Sequence, residues 1–205
     1  RDPEMSRGLG DVYKRQPDSF MALPLQRDFY ARNLKNAKER TVVIISDAMR
    51  YEVSKELFRR IQDDPKCTAK LEVQLGVLPS YTRLGMAALL PHTELTMTDD
   101  FKVLVDGFPC ENLAEREAIL QKYSSDSACV QFDSIKSLKI ADLRSIFTGK
   151  QVVYVYHNQI DARGDKPNTE DEVFVACQEA IAEIIDLIRR ISTSANTYRF
   201  IVTAD

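Results

Sequence analysis

The stretch Thr41-Val42-Val43-Ile44-Ile45-Ser46-Asp47-Ala48-Met49-Arg50-Tyr51-Glu52 decides the fold. Five β-branched residues in succession, Thr41 to Ile45, unbroken by charge, predict a strand buried on both faces, as inside a parallel sheet. The run stops at Ser46-Asp47. An amphipathic helical pattern begins at once, with Tyr51, Leu57, Phe58 and Ile61 near helical spacing. A carboxylate at the carboxyl end of such a strand lies at the crevice where open α/β sheets take ligands. Asp47 also reads as a helix N-cap, a position aspartate fills well.

Outward from this stretch, strands and helices alternate. The helix from about Arg50 to Gln62 is closed by Asp63-Asp64-Pro65, a stop signal. Leu71 to Leu75 alternates apolar and polar and predicts a half-buried strand. Pro79-Ser80 marks a turn, and Arg83 to Leu90 predicts a short apolar helix halted by Pro91. Thr82 falls at its N-cap, where first-turn N–H groups form an anion site. Residues 92–127 are mixed and polar, with a helix around Glu111 to Lys122, and read as an insertion over the sheet. Cys129 to Phe132 is a short strand, and Ile140 to Phe147 a helix ended by Gly149. Gln151 to Tyr156 is a second buried strand, breaking into His157-Asn158-Gln159-Ile160-Asp161-Ala162-Arg163-Gly164-Asp165. A long helix from about Thr169 to Ile191 follows, apolar at Val173, Ala176, Cys177, Ala180, Ile184, Leu187, Ile188 and Ile191. The strand Tyr198 to Thr203 closes on Ala204-Asp205. The fold class is therefore α/β, a mainly parallel sheet with helices on both faces.

The 205 residues are 44% hydrophobic and 29% charged, enough for one sizeable core. A net charge of −3 gives no support for a basic nucleic-acid groove over the whole domain. Cys67, Cys110, Cys129 and Cys177 are scattered, with no CxxC pair, and read as reduced thiols of a cytoplasmic protein. No apolar run approaches a membrane span, and no signal peptide is visible. With 7 glycines in the chain and no GxGxxG after the opening strand, a nucleotide-cofactor fold is disfavoured. Asp11-Val12-Tyr13-Lys14-Arg15-Gln16 looks like a translated sequencing adaptor, so residues 1–16 are set apart as a processing artefact. Residues 17–40 read as a lead-in with one helix from about Leu25 to Glu39. Both ends suggest a fragment of a longer protein.

Three buried strands end in carboxylates: Asp47, Asp161 with Asp165, and Asp205. In a parallel sheet these ends share one edge, so the acids should converge. Clustered carboxylates repel unless some protonate or a divalent cation with a preference for hard oxygen ligands relieves them. Each acid alone also reads as a cap or turn residue. Thr82 is the one hydroxyl placed before an apolar helix where a nucleophile could stand, and cation coordination lowers a hydroxyl pKa. It too reads as a plain cap. Arg50 and Arg83 follow candidate site residues and could bind a phosphate oxygen or simply form ion pairs. His157 suits a substrate-binding or supporting role as well as that of a satisfied strand-end histidine. His92 reads as a loop residue.

Four collinear pieces, VIISDAMRYEV at 43–53, LPSYTRLGMAALLP at 78–91, VYVYHNQIDARGD at 153–165 and FIVTAD at 200–205, carry a resemblance. Over residues 41–205 the chain resembles the N-terminal part of the PglZ domain. That domain is a branch of the alkaline phosphatase superfamily found in the BREX class of bacterial phage-defence systems. The resemblance implies an alkaline phosphatase-like core, cut short at the C-terminus, and two divalent metal ions, zinc first and manganese or magnesium as alternatives. Carried over residue by residue, it makes Asp47 a metal ligand and Thr82 a nucleophile that also coordinates. Asp161, with Asp165 beside it, falls to a second metal, and Asp205 opens the superfamily's Thr-Ala-Asp-His-Gly motif. Two departures stand out. Most of the superfamily has His where Asp165 stands, and the chain ends before the His expected after Asp205.

The expected function is a metal-dependent phosphoester hydrolase or phosphotransferase working with other BREX proteins. Its substrate is a phosphoester, with nucleic acid as one option, and no membrane is involved. The truncated chain alone is expected to be inactive. The alternatives are a catalytically weak scaffold in a defence complex, which Asp165 favours, or a phosphodiesterase or nuclease.

Overall fold

The computed structural model of the chain describes residues 23–164 and 170–205. The adaptor-like segment 1–16, the first part of the lead-in and Asp165 lie outside the described residues. In chain order, a 3-10 turn at Gln26–Asp28 leads into α1 (Phe29–Asn33), then β1 (Thr41–Ser46), α2 (Tyr51–Gln62) and α3 (Thr82–Ala88). Three short strands follow, β2 (Leu95–Met97), β3 (Val103–Val105) and β4 (Phe108–Pro109), then α4 (Leu113–Tyr123) and β5 (Ser127–Gln131). The chain continues through α5 (Phe132–Ile135), α6 (Ile140–Phe147), β6 (Val152–His157) and α7 (Gln159–Gly164), to α8 (Glu170–Ala195) and β7 (Arg199–Thr203).

Among the described residues the main sheet runs β5-β6-β1-β7, and every neighbouring pair is parallel. Strand β1 lies inside it with all six residues buried, as its unbroken β-branched run requires. Its side chains alternate between two cores. Val43 and Ile45 join Met86, Leu89 and Leu90 from around α3, with α1 and α4 on the same face. Val42 and Ile44 face α8, α5 and α6, through Ile184, Leu187, Ile135 and Phe147. The sheet is thus sandwiched by helices, as the alternating pattern predicts. Ile44 is 0% exposed, so Ile44→Ala should lower unfolding free energy by about 2–5 kcal/mol in urea denaturation. A loss below about 1 kcal/mol would mean that this strand is not central to the core.

Four local expectations need correction. The lead-in helix stops at Asn33, because beyond Leu34 the segment Lys35 to Arg40 has only Ala37 to bury. Leu71–Leu75 forms no strand: only Leu75 pairs, in a parallel bridge with Leu25. Leu75 N–H donates to Pro24 O at 2.8 Å, but proline has no N–H to return, so the ladder ends there. Residues 92–127, read as a mixed, polar insertion with one helix, also hold a small antiparallel sheet, β2-β3-β4, that was not expected. Asp106-Gly107, with φ of 50° and 79°, turns β3 into β4, a hairpin signal present in the sequence. Helix α4 starts after a capping box in which Glu115 N–H donates to Asn112 Oδ1 (2.9 Å) and Asn112 N–H to Glu115 Oε2 (3.3 Å). Finally, Val173 of α8 is exposed, whereas Ala176, Ala180, Ile184, Leu187 and Ile191 are buried as expected.

Candidate functional site at the carboxyl edge of the sheet

Asp47 leaves β1 at the carboxyl edge. Its N–H donates to His157 O at 2.8 Å, extending the β1–β6 ladder by one residue. The chain then turns sharply: Met49 N–H reaches Ser46 O at 3.3 Å, and Ala48 is left-handed at φ 59°. A non-glycine residue there costs roughly 1–2 kcal/mol. The structure also separates the two readings of Asp47. Helix α2 begins at Tyr51 with Arg50 at the N-cap, so Asp47 does not cap it.

The second acid arrives on the other neighbour of β1. Register pairs Ile45 with Thr203, which sets Asp205 level with Asp47 two residues later. Ala48 N–H donates to Asp205 Oδ1 at 3.2 Å. From the β6 side, Asp161 stands in the first turn of α7. Burial is the main cause that lifts the Asp47 carboxyl to about 7; the charges of Asp205 and Asp161 and a side-chain hydrogen bond with Asp205 add to it. Asp47, Asp161 and Asp205 are thus brought together, on one rim.

This has a measurable consequence. A carboxyl raised from 3.8 to about 7 on folding favours the fold below the lower value and withdraws that support as pH rises through the upper one. In chelator-treated buffer, wild-type stability should therefore fall relative to Asp47→Asn between about pH 4 and pH 7. Urea denaturation across that range reads it, and a flat difference would mean that Asp47 feels no such neighbours.

Thr82 is exposed and opens α3, but it is not the N-cap expected from the sequence. Tyr81 holds that place in an extended conformation, and its carbonyl accepts from Leu84 N–H (2.8 Å) and Gly85 N–H (2.9 Å). Thr82 is the first residue inside the helix, so its hydroxyl is not the capping group. One turn on, Gly85 abuts Asp205. A Cβ added there would lie 2.7 Å from the Asp205 carbonyl carbon. Thr82's helix is therefore docked directly against the acid that ends β7.

The remaining candidates are placed differently. Arg83 is tied to Glu111 at 3.1 Å in an exposed pair, which is worth little and can be released. Arg50 is exposed, and its charge offsets part of the burial that raises the Cys177 thiol. His157 is 1% exposed and buried behind the rim, with Nδ1 3.0 Å from Ser46 Oγ and Nε2 3.1 Å from Glu183 Oε2. Sequence reasoning missed Gly85, Ala48 and Glu183. Only Gly85, a glycine inside a helical pattern, gave any signal.

No group of three or more His, Cys, Asp or Glu side chains among the described residues is gathered so as to hold a metal ion as it stands. The donor chemistry nevertheless fits a hard divalent cation. Burial raises Asp47 most and the facing carboxylates of Asp205 and Asp161 raise it further, and a cation removes that last, repulsive part.

The BREX system PglZ alkaline phosphatase-like domain matches residues 28–205. The chain is 38% identical over 186 residues to "Alkaline phosphatase-like protein PglZ" of Bacillus cereus (strain H3081.97), covering 89% of this chain and 22% of that protein. It is also 38% identical over 213 residues to "Alkaline phosphatase-like protein BrxZ" of Escherichia coli O9:H4 (strain HS), covering 98% and 24%. The chain spans under a quarter of the length of these curated relatives. With the parallel sheet, the strand-end acids and these matches together, the chain belongs to the family of BREX system PglZ alkaline phosphatase-like domains.

Proposed function

We propose that this chain supplies the nucleophile and most of the cation ligands of a metal-dependent phosphoester hydrolase or phosphotransferase. It would work in the cytoplasm with other components of a BREX defence system. The observation that carries the proposal is the convergence of Asp47 and Asp205 at one sheet edge, where Ala48 N–H donates to Asp205 Oδ1 at 3.2 Å and the helix that opens with Thr82 packs on Asp205 through Gly85. Asp47, Asp205 and the Thr82 hydroxyl would hold one divalent ion, and Asp161 with Asp165 a second. When bound, the ions lower the hydroxyl pKa and offset charge building on phosphorus. Thr82 Oγ1 forms a bond to phosphorus and gives up its proton, while the ester P–O bond breaks and the leaving oxygen is protonated. Water then cleaves the Thr82 phosphoester and restores the hydroxyl. Arg83, once released from Glu111, is a candidate for holding a phosphate oxygen, as is Arg50.

The test uses a full-length protein carrying this chain, assayed on a chromogenic phosphomonoester and a phosphodiester with Zn or Mn added or chelated. Cation-dependent turnover supports the proposal. No turnover under any cation overturns it in favour of a scaffold. The scaffold reading is favoured by Asp165, which stands where most of the superfamily has His, and by the lack of a preassembled group of three ligating side chains among the described residues. Turnover of the diester alone would assign the site to phosphodiesters.

A further inference from the structure

Behind the rim, two buried polar side chains, Ser46 and His157, are satisfied by each other and by Glu183, whose side chain is one-third exposed. Ser46 and His157 are register partners across β1 and β6 and are 0% and 1% exposed. They face α8, where Glu183 meets His157 Nε2. A carboxylate only accepts, so Nε2 carries the ring hydrogen and Nδ1 accepts from the Ser46 hydroxyl. Burial lowers the imidazole pKa, in keeping with this neutral tautomer. The edge of the Phe132 ring lies 4.7 Å away, centroid to centroid, at 72°. The order Ser–His–Glu is that of a nucleophilic relay, but no substrate can reach a serine with no exposed surface. The chain of bonds runs instead into the backbone. The same His157 accepts Asp47 N–H through its carbonyl, and Ser46 immediately precedes Asp47.

We infer that Glu183, His157 and Ser46 are positioning residues that clamp the ends of β1 and β6 so that Asp47 is presented to Asp161 and Asp205. The inference rests on the function proposed above, and says which residues behind the site hold its first acid in place. Groups that orient a ligand from behind typically change metal affinity by about 10- to 100-fold when removed.

The test is made in the full-length protein with Mn²⁺ as probe. Calorimetry measures affinity, and hydrogen exchange measures the Asp47 amide against its neighbours in β1. Ser46→Ala and His157→Gln should each weaken Mn²⁺ binding about tenfold or more and speed exchange at Asp47 selectively. Glu183→Ala should do the same, while Glu183→Gln, which can still accept from Nε2–H, should stay near wild type. Tyr154→Phe is the control. It removes a buried bond to Leu89 O (2.7 Å) that points into the other core, and should cost stability without selective change at Asp47. Wild-type exchange at Asp47 in both Ser46→Ala and His157→Gln overturns the inference, as does an equal loss of Mn²⁺ affinity in Tyr154→Phe. Selective loosening at Asp47 in a protein that takes up no Mn²⁺ would keep the clamp and discard the cation.

Discussion

Thr82→Ala is expected to reduce phosphoester turnover by on the order of 10³-fold or more, because no other group can take over the bond to phosphorus. The fold should not suffer. Thr82 is exposed, makes no capping bond and stands in a helix, where alanine is favoured by roughly half a kcal/mol. Cation affinity should fall by less than about tenfold, since the carboxylates around Asp47 remain. Thr82→Ser, which keeps the hydroxyl, should recover much of the rate. Rapid acid quenching with a labelled substrate should leave phosphate on Thr82 in the wild type and none in Thr82→Ala. Full turnover in the alanine variant would remove Thr82 from the chemistry.

Gly85→Ala is the second large effect, and its sign is opposite to that of an ordinary helix. Exchanging glycine for alanine inside a helix usually gains about 1 kcal/mol. Here the new methyl would lie 2.7 Å from the Asp205 carbonyl carbon, 3.1 Å from its Cβ and 3.2 Å from its Cα. Two of these atoms are backbone, so α3 or the end of β7 must move. Overpacking of this kind costs about 1–3 kcal/mol, which outweighs the propensity gain. A shift of about 1 Å between Thr82 and Asp205 is enough to cost about 10²-fold in rate. We therefore expect a lower melting temperature together with a turnover loss of that order. A more stable Gly85→Ala protein at wild-type turnover would show that the close approach has no functional part.

The acids illustrate how far local reading reaches. Asp47 and Asp205 were readable as strand-end carboxylates because each follows a run of β-branched or aromatic residues, fully buried in β1 but only half-buried in β7, which was expected to be buried too. Asp161 was readable as an acid just past the end of β6, but not as part of the short helix α7 in whose first turn it stands. Thr82 was visible as a hydroxyl before an apolar helix, yet its capping role was misassigned. Which residue caps depends on backbone angles at Tyr81, and composition does not fix those. Residues 71–75 failed for a related reason. Alternation marks a chain able to pair, but whether it pairs depends on the edge it meets, here one that ends in Pro24.

By itself the sequence determined the alternation of strands and helices, the buried character of β1 and β6, the family, and which acids stand at strand ends. These follow from periodicity and residue type, which act over a few neighbours along the chain. Only the tertiary structure decided that β1 lies between β6 and β7, that Gly85 lets a helix rest on Asp205, and that Glu183 closes a hydrogen-bonded chain through buried His157 to Ser46. Those are choices of partner between distant segments. They are set by how the whole chain buries its two apolar faces at once, and no short window of sequence contains that balance.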